Sequence, residues 1–238
     1  MDTIELWNGD TKALIDPMGA WLTNLSDDRG DILFPRRRLT DTSGGKKQRG
    51  GMHVCLPNFG PGGDSSLAQH GFGRDMVWQM SDTQPSYARF ELAGGPKGDY
   101  QTLQATLQLT LDTRSIDVAL TLRNTGTTPL RVAPGFHPYF ALDRNEHTIH
   151  VNGASYTTAD LAGTEFFDDR HAMHLRVARR TVAVTSHRLP TWALWTDGLG
   201  DYVCVEPTAS GNAFLGAVTD NEQLHAGKQQ TYSMTIAW

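Results

Sequence analysis

The chain has little of what marks secreted or membrane proteins. Only two of its 238 residues are cysteine, which is too few for the disulfide framework of a small secreted scaffold. No stretch approaches the roughly 20 apolar residues that span a bilayer. The first residues also lack a basic segment followed by an apolar run, the pattern of a secretory signal. We therefore expect no membrane association and a cytoplasmic location.

The chain also has no large excess of positive or negative charge. The formal net charge of -5 gives no general attraction for nucleic acid, so we expect no nucleic-acid partner. A hydrophobic content of 39% with 20% charged residues is ordinary for a globular protein and excludes a disordered chain. A β-protein of this length can enclose one core, so we predict a single domain over residues 1–238, as a monomer or homodimer. Cys55 and Cys204 each lie among apolar neighbours, which predicts buried thiols.

Sustained helical periodicity is missing, whereas period-2 alternation recurs along the chain. Apolar residues alternate over Leu103–Leu111 and again over Ile116–Leu122, which predicts a β-hairpin with one buried face. Gly and Pro, 24 and 11 in number, interrupt the chain at the short intervals that turns between strands require. The sequence therefore predicts an all-β fold of two packed sheets. Further strands are predicted at Ala13–Ile15, Trp21–Leu25, Ile32–Phe34, Thr181–Thr185, Trp192–Trp195, Tyr202–Glu206 and Tyr232–Trp238.

One stretch, from Arg36 to Pro61, shows no such alternation and is rich in glycine and basic residues. Loops of this length in a compact domain are either functional or disordered. Its glycines and cations suit an anion, but it has no Gly-Lys-Ser/Thr ending and no following helix, as a phosphate-binding P-loop needs. We predict a long irregular loop, and its sequence leaves open whether it binds an anion or is simply solvated.

Three short segments combine ionisable, polar and aromatic residues, and each contains one residue suited to proton transfer. His70 lies in a turn with Gly71 and Gly73, which allow the backbone to approach a ligand closely. His137 lies between two prolines and two aromatic rings, and Glu206 ends an apolar strand before a proline. Burial would raise the pKa of such a glutamate toward that of a useful base. If the fold brings the three residues together, they provide a proton donor and a proton acceptor.

In their order and spacing, these segments resemble the signature of the galactose mutarotase-like superfamily, and most closely its aldose 1-epimerase and hexose-6-phosphate 1-epimerase branch. The resemblance covers most of the chain from about Trp21 onward. It implies a β-supersandwich of two large packed antiparallel sheets that interconverts the α and β anomers of a sugar without a cofactor. The matching segments are Arg49-Gly50-Gly51, Leu56-Pro57-Asn58-Phe59-Gly60-Pro61, Gln69-His70-Gly71-Phe72-Gly73-Arg74, Trp78, His137-Pro138-Tyr139-Phe140 and Val205-Glu206-Pro207.

The resemblance also implies roles for single residues. Glu206 matches the general base and His137 the general acid, while His70 and its neighbour Gln69 match sugar-binding positions. The chemistry agrees, because a carboxylate can take the proton of the anomeric hydroxyl while an imidazolium protonates the ring oxygen. Trp78 or Trp195 is expected to offer an apolar face to the sugar.

Two questions about the substrate stay open from the sequence. Arg49 and Arg74 match phosphate-contacting arginines of the hexose-6-phosphate branch, and arginine suits bidentate phosphate recognition. Other motifs match the broader aldose 1-epimerase group, so the expected partner is a small-molecule sugar or a sugar phosphate. The resemblance also implies a sugar-binding aspartate, for which Asp169 is the best match and Asp160 competes.

Two other functions, a metal-dependent enzyme and a non-catalytic sugar-binding domain, are also compatible with an all-β chain. A metal-dependent enzyme would have to use His147 with His150 or His171 with His174, but neither pair has a companion ligand at a characteristic spacing. We therefore expect no metal site. A non-catalytic carbohydrate-binding β-sandwich would keep the fold but has no need of both His137 and Glu206.

Overall fold

The structure, a computed structural model, describes residues 2–144 and 148–238. Strands dominate these ranges, and the 3₁₀ helices in them have three to five residues each. The strands are β1 (Ile4–Asn8), β2 (Thr11–Asp16), β3 (Trp21–Asp27), β4 (Gly30–Leu33), β5 (Arg37–Thr40), β6 (Lys46–Arg49), β7 (Met52–Cys55), β8 (Gln79–Gln84), β9 (Tyr87–Leu92), β10 (Leu103–Leu111), β11 (Ser115–Asn124), β12 (Leu130–Arg131), β13 (Gly135–Ala141), β14 (Thr148–Val151), β15 (Ala154–Thr157), β16 (Glu165–Phe167), β17 (Ala172–Val177), β18 (Arg180–His187), β19 (Thr191–Trp195), β20 (Tyr202–Thr208), β21 (Gln223–Leu224) and β22 (Gln229–Ala237). The 3₁₀ helices are Gly63–Ser65, Gly73–Asp75, Gly98–Thr102, Ala213–Leu215 and Asp220–Glu222.

Two nine-stranded antiparallel sheets form the body of the molecule. The first has the order β1-β2-β3-β4-β13-β20-β19-β16, with β7 paired to both β13 and β3. The second has the order β15-β14-β17-β18-β22-β11-β10-β9-β8. Strands β5 with β6 and β12 with β21 form two small separate pairs. The prediction of two large antiparallel sheets is confirmed. None of the described helices has the length and apolar character needed to cross a membrane.

The predicted hairpin is strands β10 and β11, which pair with Leu107 opposite Leu120. Their burial alternates along both strands, so every second side chain points into the core between the sheets. The inward leucines pack in one large cluster with residues of the first sheet such as Leu22 and Phe140. Burial of apolar area on both inner faces therefore joins the sheets.

The expectation of one irregular loop from Arg36 to Pro61 is wrong. This segment contains the exposed hairpin of β5 and β6 and then β7, whose four residues are all buried. Strand β7 lies between neighbours on both sides and is covered on both faces, so it lacks the alternation by which a half-exposed strand is recognised. Gly51 leads into it with φ +68, and a Cβ there would lie 2.1 Å from the carbonyl oxygen of Leu22.

A buried ion pair connects the two sheets at one end. Arg180 at the start of β18 donates two hydrogen bonds of 2.6 Å to the carboxylate of Asp27 at the end of β3. The indole of Trp238 donates a third, of 3.0 Å. Hydrogen bonds from Arg180 above all lower the pKa of Asp27 to about 2. We call Asp27, Arg180 and Trp238 the sheet clamp.

Candidate active site

Three adjacent strands of the first sheet place ionisable side chains in one row. Gly135 pairs with Thr208 and Tyr139 with Cys204 across β13 and β20, so His137 lies opposite Glu206. On the other side of β13, His137 pairs directly with His53 of β7. Directly opposite residues of paired strands point to the same face of a sheet. The register therefore builds a row of His53, His137 and Glu206.

His137 and Glu206 form a buried pair at the base of an open pocket. Nε2 of His137 lies 3.2 Å from Oε2 of Glu206, and the two side chains are 5% and 3% exposed. Among the described residues, neither this oxygen nor Nδ1 of His137 has a hydrogen-bond partner of good geometry. Burial raises the pKa of Glu206 well above its usual value and, with the neighbouring imidazoles and arginines, lowers that of His137. Both shifts favour the uncharged forms, as desolvation does.

His70 reaches the same place from a strained turn. Its backbone has φ +66, in the left-handed region that non-glycine residues seldom adopt. The next residue must be glycine, because a Cβ at Gly71 would lie 2.0 Å from the carbonyl oxygen of Leu56. The ring of His70 lies 5.0 Å from that of His137, and its Nδ1 lies 3.3 Å from Sγ of Cys55. Burial, followed by the charge of Arg74, lowers the pKa of His70 to about 4.

Aromatic rings enclose the histidines. Tyr139 stacks on His137 with 4.6 Å between centroids, because residues two apart on a strand share a face. Trp195 on β19 approaches the same ring edge-on at 6.1 Å, and Phe59 approaches His70 at 5.5 Å. The pocket above them has a volume of about 380 Å³, which is in the range of small-molecule sites. Its lining is Arg49, Phe59, Gly60, Pro61, Gln69, His70, Arg74, His137, Tyr139, Thr164, Phe166, Trp195, Glu206 and Asn212.

The two arginines of the pocket differ in their counter-ions. Nε of Arg49 lies 2.8 Å from the carboxylate of Asp197, which also accepts a hydrogen bond from Tyr202. Burial alone would raise the pKa of Asp197, but these hydrogen bonds outweigh it and lower the pKa. Arg74 has a longer contact of 3.8 Å with Asp75, whose side chain is 72% exposed. The charge of Arg49 is thus offset within the protein, whereas that of Arg74 is available to a ligand.

The family comparison fits this pocket. The model of the family "Aldose 1-epimerase" matches residues 2–178, which is most of the chain. The chain belongs to the aldose 1-epimerase family.

Individual relatives of this epimerase-family chain are distant. A galactose mutarotase-like protein from Lactobacillus casei has 17% sequence identity and a TM-score of 0.81, with 99% of each chain covered. A galactose mutarotase related enzyme from Lactobacillus acidophilus has 14% identity and a TM-score of 0.78, with 99% of this chain and 97% of that chain covered. A curated protein of Cenchrus ciliaris, named "Putative glucose-6-phosphate 1-epimerase", is 34% identical over 67 residues, 28% of this chain and 20% of that protein. The aligned part is thus about a fifth of that curated relative.

Six of the site residues predicted from the sequence of this family member do line the pocket: His137, Glu206, His70, Arg74, Arg49 and Gln69. Trp78 does not, and its assignment as a sugar-binding residue is wrong. Its side chain has no exposed surface, and its indole nitrogen donates to the carbonyl oxygen of Gly73, 2.9 Å away. The other tryptophan expected to face the sugar, Trp195, does line the pocket, where it forms the apolar face with Tyr139 and Phe59.

Neither candidate for the sugar-binding aspartate lies in the pocket. Asp169 lies in an exposed turn between β16 and β17, with φ +56. Asp160 accepts hydrogen bonds from the backbone nitrogen and hydroxyl of Thr157, each 2.7 Å long. Asp197, which holds Arg49, could not be identified from the sequence because no motif surrounds it. Nor could His53, whose place in the row with His137 and Glu206 depends on the unexpected strand β7.

The histidine pairs considered as metal ligands do not form a site in the described residues. His171 and His174 are exposed, His150 contacts Ser155, and His147 lies outside the described residues. The described residues contain one converging set of three possible ligands, His137, Cys204 and Glu206.

Proposed function

We propose that the protein is an aldose 1-epimerase that interconverts the α and β anomers of an aldohexose or a hexose 6-phosphate. Glu206 takes the proton of the anomeric hydroxyl while His137 gives a proton to the ring oxygen, and the ring opens to an aldehyde. After rotation about the bond between the first two carbons, the ring closes on the other face and both protons return. No net proton and no electron is exchanged.

The observation that carries this proposal is the His137–Glu206 pair at the floor of the pocket. In the free pocket, desolvation favours a protonated carboxyl beside a neutral imidazole. Transfer of that one proton across the 3.2 Å between Oε2 and Nε2 gives the carboxylate and imidazolium that ring opening requires. Sugar hydroxyls would supply the hydrogen bonds that Glu206 Oε2 lacks and would thereby stabilise its ionised form.

His70 and the arginines are the proposed substrate contacts. His70 stays uncharged at neutral pH, since its pKa is about 4, so its ring can exchange neutral hydrogen bonds with the sugar near the reacting oxygen. Arg49, held by Asp197, is positioned to donate to sugar hydroxyls. Arg74 has the weaker internal partner and is the residue on which we place recognition of a phosphate.

The reaction is tested by following freshly dissolved α-glucose, α-galactose and α-glucose 6-phosphate by NMR. We expect wild type to speed the approach to anomeric equilibrium for at least one of them. Glu206→Gln should lower the rate by about 10²–10⁴-fold, the usual contribution of acid–base catalysis. Glu165→Gln, at an exposed glutamate of β16, is the matched control and should be as fast as wild type. If wild type speeds none of the sugars but broadens their signals, the non-catalytic carbohydrate-binding function replaces this proposal.

The substrate class is tested by Arg74→Ala and Arg49→Ala with the same sugars. If the substrate is phosphorylated, Arg74→Ala should raise KM for the phosphosugar by about 10-fold or more, in line with the loss of a charge-assisted hydrogen bond. It should leave turnover of the neutral sugar unchanged. Arg49→Ala should weaken both, because it also leaves Asp197 without its ion pair. An equal loss for both sugars in Arg74→Ala would rule out a phosphate role for this residue.

A further inference from the structure

Beside the proton-transfer pair lies a thiol that the proposed reaction does not use. Cys204 precedes Glu206 by two residues on β20, so both side chains point to the same face of the sheet. Cys204 is fully buried and free, in a cluster with Tyr139 and Tyr202 and against Trp195. Its sulfur, a nitrogen of His137 and an oxygen of Glu206 all lie within 4.8 Å of one another.

The donor set has the chemistry of a soft divalent cation. Thiolate, imidazole and carboxylate are the three ligand types that Zn²⁺ takes in proteins, with bonds of roughly 2.0–2.3 Å. Tetrahedral bonds of that length place ligand atoms about 3.3–3.8 Å apart. The present separations are no more than 4.8 Å and exceed this by about 1–1.5 Å at most, which changes of side-chain rotamer can close. Adjacent strands β13 and β20 hold the three backbones in place.

Unsatisfied polar atoms provide a second, independent indication. Nδ1 of His137 and Oε2 of Glu206 are buried and lack hydrogen-bond partners among the described residues. Such atoms cost free energy unless water, substrate or an ion satisfies them. A cation held between His137 and Glu206 would provide the missing partner of Oε2. It can enter from solvent, because His137 and Glu206 line the open pocket.

Nearby charges determine how strongly a cation is held. Arg49 and Arg74 both line the pocket and oppose a second positive charge. The carboxylate of Asp197, 2.8 Å from Arg49, offsets one of them. Coordination also displaces the thiol proton of Cys204 and the carboxyl proton of Glu206 to solvent, which reduces the apparent affinity.

We propose that His137, Cys204 and Glu206 bind Zn²⁺ and chemically similar cations, and that the bound ion inhibits the enzyme by occupying the atoms that move the proton. The ion takes the lone pair of His137 and the carboxylate of Glu206, so neither can exchange a proton with a sugar. Zinc and sugar therefore compete for one site. The inhibition part rests on the proposed function, whereas the binding site does not.

Binding is tested on the metal-free protein with Co²⁺ as a spectroscopic probe and Zn²⁺ as a calorimetric one. Wild type should show the near-ultraviolet absorption of a thiolate-to-cobalt bond and one zinc site per chain. Cys204→Ala should lose that absorption and weaken zinc binding by 10-fold or more, an expectation from the loss of one of three ligands. Cys55→Ala, at the other buried thiol, is the matched control and should keep both signals.

The Cys55→Ala control also distinguishes an ion bound at Cys204 from an ion bound elsewhere in the protein. If Cys55→Ala abolishes the absorption and Cys204→Ala does not, the ion is bound beside His70 and the assignment is wrong. If wild type binds zinc but its cobalt form lacks this absorption, the ion is held elsewhere by ligands other than a thiol, and the assignment is wrong. Cys204→Ser retains the side-chain volume and serves if Cys204→Ala does not fold, as judged by circular dichroism.

Inhibition is tested by NMR anomerisation with added Zn²⁺. Zinc should slow wild type in competition with sugar, while Cys204→Ala should keep its rate without zinc and resist inhibition by 10-fold or more. Equal inhibition of both proteins would overturn the inhibitory role. If wild type has no anomerisation activity, the proposed function fails, and the cobalt spectrum still decides whether the site exists.

Discussion

Two of the carboxylates that the molecule buries beside basic side chains, Asp27 and Glu206, have different surroundings. In the sheet clamp, Asp27 accepts two hydrogen bonds from Arg180, one from Trp238 and one from the backbone of Arg29. In the pocket, Glu206 has one contact at 3.2 Å, and its Oε2 has no hydrogen-bond partner among the described residues. Asp27 therefore has a lowered pKa and Glu206 a raised one.

The difference separates a structural ion pair from a reactive one. Hydrogen bonds to Asp27 stabilise its charged form and fix the two sheets to each other. Glu206 is desolvated without such compensation, which leaves its proton mobile and its oxygen available to a substrate. Changes in the clamp should therefore lower the stability of the fold with little effect on the reaction rate. Changes in the pocket should lower the reaction rate with little effect on stability.

Arg180→Met tests the structural side and has the largest expected effect on stability. Removing one partner of a buried ion pair leaves an uncompensated charge, and the free energy of unfolding should fall by about 3–5 kcal/mol. Denaturation in urea measures this change. The rate of sugar anomerisation by the protein that remains folded should equal that of wild type.

The neighbouring arginine provides the control. The side chain of Arg179 is 92% exposed and lies 3.0 Å from Asp143, so Arg179→Met should cost about 0–1 kcal/mol. If the two variants lose equal stability, the clamp has no special role in joining the sheets.

Acid should weaken the clamp over a defined pH range. The pKa of Asp27 is about 2 in the folded chain and 3.8 ordinarily, so the folded state releases this proton more readily. The clamp's stabilisation is complete above pH 4 and is lost as the pH falls from about 4 to 2. Its size is about 2 kcal/mol, at 1.36 kcal/mol per pKa unit. Urea titrations at several pH values should show this loss in wild type and its absence in Asp27→Asn.

The sequence predicts the hairpin of β10 and β11 in the second sheet better than it predicts strand β7 in the first. Alternation identifies β10 and β11 because one face of each is buried and the other is solvated. Strand β7 escapes the same test because all four of its residues are buried, and the positive φ of Gly50 and Gly51 makes its entry look like a loop. Since β7 carries His53, the row beside His137 could not be completed from the sequence.

The residues of the site also differ in whether they could be predicted from the sequence. His70, His137 and Glu206 could be named from the sequence because each lies in a short motif, and the fold then brings them together in the pocket. Tyr139 could have been found as well, since it shares the face of His137 two residues earlier on the strand. Asp197 could not, because its approach to Arg49, 148 residues away in the chain, depends only on tertiary structure. Trp78 is the opposite case. It lies beside a motif in the sequence and was expected in the site, but its side chain belongs to the core.

Glu206→Gln tests the reactive side and has a smaller expected effect on stability than the two tests of the clamp. Glutamine has the same shape but is neutral without taking up a proton on folding, so the unfolding free energy at pH 7 should rise by about 1 kcal/mol, as is common when a functional group is replaced. The sign with pH is opposite to that of Asp27. The unfolded chain ionises Glu206 above pH 4.5, while the folded chain keeps the proton because burial raises its pKa. Wild-type stability therefore falls, relative to the variant, as the pH rises above 4.5, and the stabilities of the two proteins should converge below that pH.

Urea denaturation of wild type, Glu206→Gln and the exposed control Glu165→Gln at pH 4 and pH 7 measures this difference in stability. A Glu206→Gln protein less stable than wild type at pH 7 would mean that Glu206 is a structural partner of His137, and the contrast with the clamp would no longer hold.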